Sequence, residues 1–137
     1  MPAEWELQDA VWSAWPSHED LWGDDLPGVQ DEFVALCREI VWSPTGKPNQ
    51  TLQILALNTP RKLEAETRLN GLPVKVHHIP FGDMWLRDTG PIFLRRHGKL
   101  VAACFGFNGW GGKYDLPHDK EVSHNVAQAS GTESVSV

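Results

Sequence analysis

Asp83, Trp85, Arg87 and Asp88 fall within six consecutive positions, in the run PFGDMWLRDTGP at 80–91. Two carboxylates and an indole so close together suit the recognition of a flat organic cation. A carboxylate accepts two parallel hydrogen bonds from a planar cation such as a guanidinium, and an aromatic wall packs on the cation's face or alkyl stem. Asp83 precedes Trp85 by two residues and Asp88 follows it by three, so a tight turn would bring all three to one pocket. Arg87, beside Asp88, would hold that acid in place or pair with it. Each residue also has an ordinary use. Neighbouring Arg and Asp on loops form surface ion pairs worth about 0–1 kcal/mol, and a loop tryptophan often plugs a core.

The flanking elements decide which use applies. Pro80, Gly82, Gly90 and Pro91 deny the run regular structure, so it reads as a loop at the end of a sheet, where α/β proteins place functional groups. Ahead of it, DAVWSAWP has strand composition and SHEDLWGDDLPG reads as a loop. Pro27 suits the first turn of a helix whose inner face carries Val29, Phe33, Leu36, Cys37, Ile40 and Val41, ending near SPTGKPN. TLQILAL (51–57) reads as a buried strand. Thr59 is placed to cap a second helix, with Pro60 in its first turn and Asn70-Gly71 as its stop. PVKVHHI (73–79) alternates as a strand. Behind the run, PIFLRR and KLVAACFGF form a hairpin turning at His97-Gly98. NGWGGKYDLPH is a Gly-rich loop, Asp119 is placed to cap a third helix with Val122, Val126 and Ala129 inward, and ESVSV begins a further strand. Strand and helix alternate, with βαβ in the middle, so the class is α/β or α+β.

Composition narrows the function. The chain has 137 residues, 41% of them apolar, and a formal net charge of -6. That is one domain with enough apolar material for a core. The acidic balance, with no basic cluster beyond Arg95-Arg96-His97, argues against nucleic acid or an anionic membrane as partner. No apolar run approaches the roughly 20 residues of a membrane span. The acidic N-terminus lacks the features of a secretory signal. Two cysteines make no disulfide framework, so a reducing, cytoplasmic location is expected.

Three stretches in order, MPAEWE with VWSAWP, GDMWLRDTGPIF, and FNGWGGKYDLPHD, resemble the agmatine deiminase and Porphyromonas-type peptidylarginine deiminase family, the middle one through its Trp-x-Arg-Asp-x-Gly-Pro signature. The resemblance implies a partial pentein fold, about the first two of five βαβ-type modules. It also implies hydrolysis of a guanidinium to a ureido group and ammonia through a cysteine adduct. In that chemistry a histidine handles protons, two acids hold the guanidinium nitrogens, and no metal or organic cofactor takes part. Carried over residue by residue, Asp88 matches the first guanidinium-binding acid. Trp85 matches the aromatic lining the substrate channel, Asp83 an acid preceding it, and Arg87 a structural arginine. The partner expected is therefore a small guanidino compound, agmatine or an arginine derivative.

The sequence departs from the family pattern in two respects. Agmatine deiminases usually carry Asn-Asp where Gly82-Asp83 stands here, which weakens the case for agmatine itself while keeping a guanidino substrate. The family's Glu-Gly-Gly stretch, His-x-Asp pair and late Gly-x-x-Cys-type nucleophile have no counterpart. Cys37 and Cys104 read as buried structural thiols on a helix and a strand. His77 and His78 point to opposite faces of a strand, so no metal site is expected. Gly111-Gly112 reads as a tight turn, not a phosphate loop. Trp5 and Trp110 lie on loops that could border the pocket. The whole chain, 1–137, is thus expected to be the N-terminal portion of one deiminase domain, inactive alone and prone to self-association through an exposed module face. A short cation-binding or assembly module of the same fold, without catalysis, is the alternative.

Overall fold

A computed structural model describes residues 8–42 and 50–137 and divides them into two α/β units, one covering Gln8–His78 and the other Ile79–Val137. The first unit is a parallel sheet of β1 (Ala10–Ala14), β2 (Thr51–Ala56) and β3 (Val74–His78), in that order, with Ala10 beside Thr51 and Leu52 beside Val74. Parallel neighbours require crossovers. Here they contain α1 (Glu19–Trp22) with a 3₁₀ turn at Gly23–Asp25 and α2 (Leu26–Val41) before β2, then α3 (Thr59–Arg68) before β3. Leu52, Ile54, Leu55 and Ala56 of β2 are fully buried, as the central strand of a parallel sheet must be.

Three local expectations need correction. The stretch expected as loop after Pro16 contains one helical turn, because the N–H groups of Leu21 and Trp22 both reach the His18 carbonyl. The inner face of α2 is Leu26, Gln30, Phe33, Val34, Cys37 and Val41, while Leu36 lies outside at 53% exposure. Counting from Leu26 instead of Val29 gives this stripe, and Gln30 belongs to it because its amide donates to the Pro16 carbonyl at 3.0 Å. Asn58, not Thr59, caps α3, its side-chain oxygen accepting from Arg61 N at 3.0 Å, with Pro60 in the first turn as expected. The expected breaker at 43–49 and Trp5 lie outside the described residues.

Trp15 shows how a large polar-tipped side chain is buried here. It is fully enclosed, its ring meets Phe33 edge-on at 5.7 Å, and its indole N–H donates to Glu64 at 3.0 Å. Gln30 and Arg61 donate to the same Glu64 oxygen, at 3.2 and 3.0 Å. Burial pushes the Glu64 carboxyl up, but the donors Trp15, Arg61 and Gln30 and the Arg61 charge outweigh it and leave it below its ordinary value.

In the second unit β4 (Ile92–Arg96) and β5 (Lys99–Cys104) form the expected hairpin, with φ of 50° at His97 and 80° at Gly98. Two left-handed residues match the twist of a two-residue turn. The parallel strand β6 (Glu133–Ser136) then joins β5 after α6 (Val122–Ser130). Ala102 and Cys104 of β5 pack with Ala127 of α6, and Phe93 closes the cluster. Small residues on both elements let helix and sheet approach closely. Ala127, with Val122 and Val126, therefore faces inward where Ala129 was expected.

Candidate functional site

The run at 80–91 is not wholly irregular. Residues Leu86–Thr89 form a single helical turn, α4. The Trp85 carbonyl accepts from Asp88 N at 3.0 Å, from Thr89 N at 3.1 Å and from the buried Thr89 hydroxyl at 3.2 Å. Gly90 N closes the turn on the Leu86 carbonyl, and extended Gly90 before Pro91 stops it. One turn has a direct consequence for the side chains. The Asp88 N–H bond to the Trp85 carbonyl holds the two backbones together, and within the turn Arg87 and Asp88 point about 100° apart. Among the described residues Arg87 forms no ion pair with Asp88, contrary to one expectation for it.

Asp88 is partnered instead by Trp110, whose indole N–H donates to its Oδ1 at 3.3 Å. Trp110 sits in a turn at Gly109–Gly112, α5, with its own backbone left-handed at φ 53°, ψ 52°. Such a conformation costs a non-glycine residue about 1–2 kcal/mol. Asn108 offsets part of that: its side chain accepts from Gly111 N at 2.9 Å and its carbonyl from Gly112 N at 2.8 Å. Phe107 meets the Trp110 ring edge-on at 4.9 Å and Tyr114 does so at 6.1 Å. Gly111-Gly112 is the tight turn the sequence suggested.

Trp85 is 58% exposed and Trp110 42% exposed. Neither plugs a core, so the ordinary use of a loop tryptophan does not apply to Trp85. The result is an exposed carboxylate beside two exposed indoles.

Asp83 is placed differently. Its carboxylate turns back on the loop and accepts from Met84 N at 2.6 Å. The loop is fixed from below by Asp119, which is 1% exposed and accepts from Gly82 N at 2.8 Å and Asp83 N at 3.3 Å. Asp119 was expected to cap the third helix. That helix begins at Val122 behind a 3₁₀ turn, Asp119–Glu121, and has no side-chain cap. Gly82 is required at this crossing, because a Cβ there would stand 2.4 Å from Leu116 Cβ and 2.8 Å from the Pro117 carbonyl oxygen. The asparagine of the agmatine deiminase pattern has no room at position 82 in this backbone. Only Asp119 lacked a functional signal in the sequence; its one clue was the resemblance of the whole FNGWGGKYDLPHD stretch.

Cys37 and Cys104 are each 1% exposed, and burial pushes the Cys37 thiol up to about 11. His77 is half-buried, stacked on Trp12 at 5.1 Å and hydrogen-bonded to Gln53 at 2.6 Å. Among the described residues no three His, Cys, Asp or Glu side chains converge to hold a metal. The cavity lined by Lys62, Glu66, Asn70 and Lys75 belongs to the first unit and includes none of the residues around Asp88.

Residues 1–137 match the family of Porphyromonas-type peptidyl-arginine deiminases from end to end. The chain belongs to that family. The agmatine deiminase of Stutzerimonas stutzeri is 31% identical over 93% of this chain and 34% of its own length. That of Pseudomonas putida is 33% identical over 82% of this chain and 29% of its own length. The solved structure of an Enterococcus faecalis agmatine deiminase superposes with a TM-score of 0.83 at 25% identity, covering all of this chain and 37% of that one. The fold is therefore the α/β pentein fold in part, and the chain spans about a third of the length of the relatives it matches. No helix among the described residues is long and apolar enough to cross a membrane.

Proposed function

We propose that this chain supplies the substrate-head half of a guanidine-hydrolysing deiminase site, as the N-terminal portion of one deiminase domain. The carrying observation is Asp88: an exposed carboxylate whose Oδ1 is engaged by Trp110, on the same short turn whose backbone is bonded to the exposed Trp85. In this reading Asp88 accepts from the guanidinium nitrogens, Trp85 packs on the cation, and Asp83 supports the loop that carries both. A guanidinium is a poor electrophile because its charge is delocalised. Holding it protonated and oriented lets a thiolate attack its carbon, ammonia leaves with a proton, and water then displaces the thiolate to give the ureido product. The thiolate and the proton-handling histidine come from outside this sequence, because Cys37 and Cys104 are buried in packing roles. Agmatine and arginine derivatives share the head group and are the substrate class; the activity would reside in the cytoplasm.

The test has two arms. Agmatine binding to the chain, followed by NMR, should be strongly weakened in Asp88→Asn with the amide spectrum otherwise retained. Ammonia release from agmatine, arginine or a C-terminal arginine peptide should be absent for the 137-residue chain and present for a longer reading frame that adds the nucleophile. Undiminished agmatine binding by Asp88→Asn refutes the site. Turnover by the short chain refutes the division of labour, and Cys104 would be the first residue to replace.

The buried cysteines favour one further reading for the chain by itself, a cation-binding module without catalysis. It predicts the same loss in Asp88→Asn and no ammonia from any extension of the frame.

A further inference from the structure

We infer that Trp110 is a positioning residue for Asp88, fixing one carboxylate oxygen so that the other faces the ligand. The inference rests on the guanidinium-site reading above and goes beyond it by adding a residue that acts through Asp88.

Several independent observations converge on Trp110. Its indole N–H donates to Asp88 Oδ1 at 3.3 Å, from a residue twenty-two positions away in the chain. Asp88 is the third of four residues in a single helical turn, and an exposed aspartate on so short an element has several accessible side-chain rotamers. One N–H donor selects among them and leaves Oδ2 for a second partner. The donor itself is held at a backbone cost. Trp110 is left-handed between glycines, at φ 53°, a conformation that persists only where surrounding bonds over-determine it. The turn supplies those bonds: Asn108 accepts from Gly111 N at 2.9 Å, and Tyr114 N donates to the Gly109 carbonyl at 3.0 Å. Phe107 then fixes the ring edge-on at 4.9 Å.

Burial alone does not explain this arrangement. Trp110 is 42% exposed, so its ring is only partly covered by Phe107 and Tyr114. What the turn does achieve is to aim a hydrogen-bond donor at a carboxylate. An indole is suited to this task. It donates but cannot accept, it carries no charge to compete with a bound cation, and its ring offers a second apolar wall beside Trp85.

A double-mutant cycle tests the inference on the 137-residue chain, with agmatine as the probe and affinity read by NMR titration. Trp110→Phe keeps an aromatic ring at the position beside Phe107, trims the indole to one ring and removes the donor. It should weaken agmatine binding about threefold to tenfold, the range for one ordinary, solvent-exposed hydrogen bond. In an Asp88→Ala background the same change should have no further effect on the residual affinity, because the acceptor is gone. Asp88→Asn should also displace the Trp110 indole ¹H–¹⁵N resonance while Trp12 and Trp15 stay in place, a readout that needs no change at Trp110. Equal losses from Trp110→Phe in both backgrounds, or an unmoved Trp110 resonance, would overturn the positioning role and leave Asp88 as the anchor. Unchanged agmatine affinity in Asp88→Asn would instead overturn the site itself.

Discussion

Gly82→Ala is the most direct perturbation of the platform beneath the site. The added methyl carbon would stand 2.4 Å from Leu116 Cβ, 2.8 Å from the Pro117 carbonyl oxygen and 2.9 Å from Asp119 Oδ2. The first two atoms are fixed to the main chain, so no rotamer change relieves them. Carbon atoms pack at about 3.5–4.0 Å, so the 116–119 segment must retreat by more than about 1 Å. That retreat takes Asp119 Oδ1 away from Gly82 N, now at 2.8 Å, and breaks the bond. Overpacking costs about 1–3 kcal/mol, and losing a backbone bond to a buried carboxylate about 1.5–3 kcal/mol. One movement relieves the first by conceding the second, so the two do not sum. The expected loss is about 1.5–3 kcal/mol, or a fall of about 1–2 M in the urea midpoint at ordinary slopes. Native-state hydrogen exchange at the Gly82 and Asp83 amides gives the local readout and should accelerate by orders of magnitude. Gly82→Asn, which restores the residue usual in agmatine deiminases, meets the same obstruction. A Gly82→Ala protein within about 0.5 kcal/mol of wild type, with both amides still protected, would refute the account of how this loop is held.

Other expectations follow from the same structure. Gly28, in the first turn of α2, has no atom within 4 Å of a built Cβ, so Gly28→Ala should raise stability by about 0.5–1 kcal/mol in urea unfolding. Glu64 titrates below its ordinary value when folded, so the unfolded chain takes up that proton first. Its stabilisation is therefore complete above the unfolded value of about 4.3 and is lost as pH falls through the folded one. Glu64→Gln should cost about 1–2 kcal/mol at pH 7 and flatten the acid limb of the stability curve; an unchanged limb would contradict the role of the network. Cys37, pushed to about 11 by burial, and Cys104, equally enclosed, should both resist alkylation at pH 8 until the chain is unfolded, which a thiol count by mass spectrometry checks. Trp85→Ala should change stability by less than about 1 kcal/mol, because the ring is 58% exposed, yet weaken agmatine binding; a large stability loss would return Trp85 to a packing role.

The sequence by itself determined the α/β class, the hairpin at His97-Gly98, the buried strand at 51–56 and the run that carries Asp83, Trp85 and Asp88. These rest on short-range physics. Alternation, breakers and turn chemistry act within a few residues, so they are legible in a single chain. The family resemblance was legible too, because three motifs stand in order. What the sequence did not disclose is who holds what. Asp119 looked like a helix cap because Asp before an apolar run is a common start signal. It holds a loop thirty-seven residues upstream, a pairing no local pattern encodes. Arg87 looked like the partner of Asp88 through adjacency, but consecutive residues in a helical turn point about 100° apart, and Asp88 accepts from Trp110 instead. The inner stripe of α2 shifted because Gln30 found a carbonyl at Pro16, a tertiary bond that outweighs its polarity. Local propensity writes the elements; only the folded chain brings the Gly109–Gly112 turn to the Leu86–Thr89 turn, which the whole β4–β5 hairpin separates in sequence.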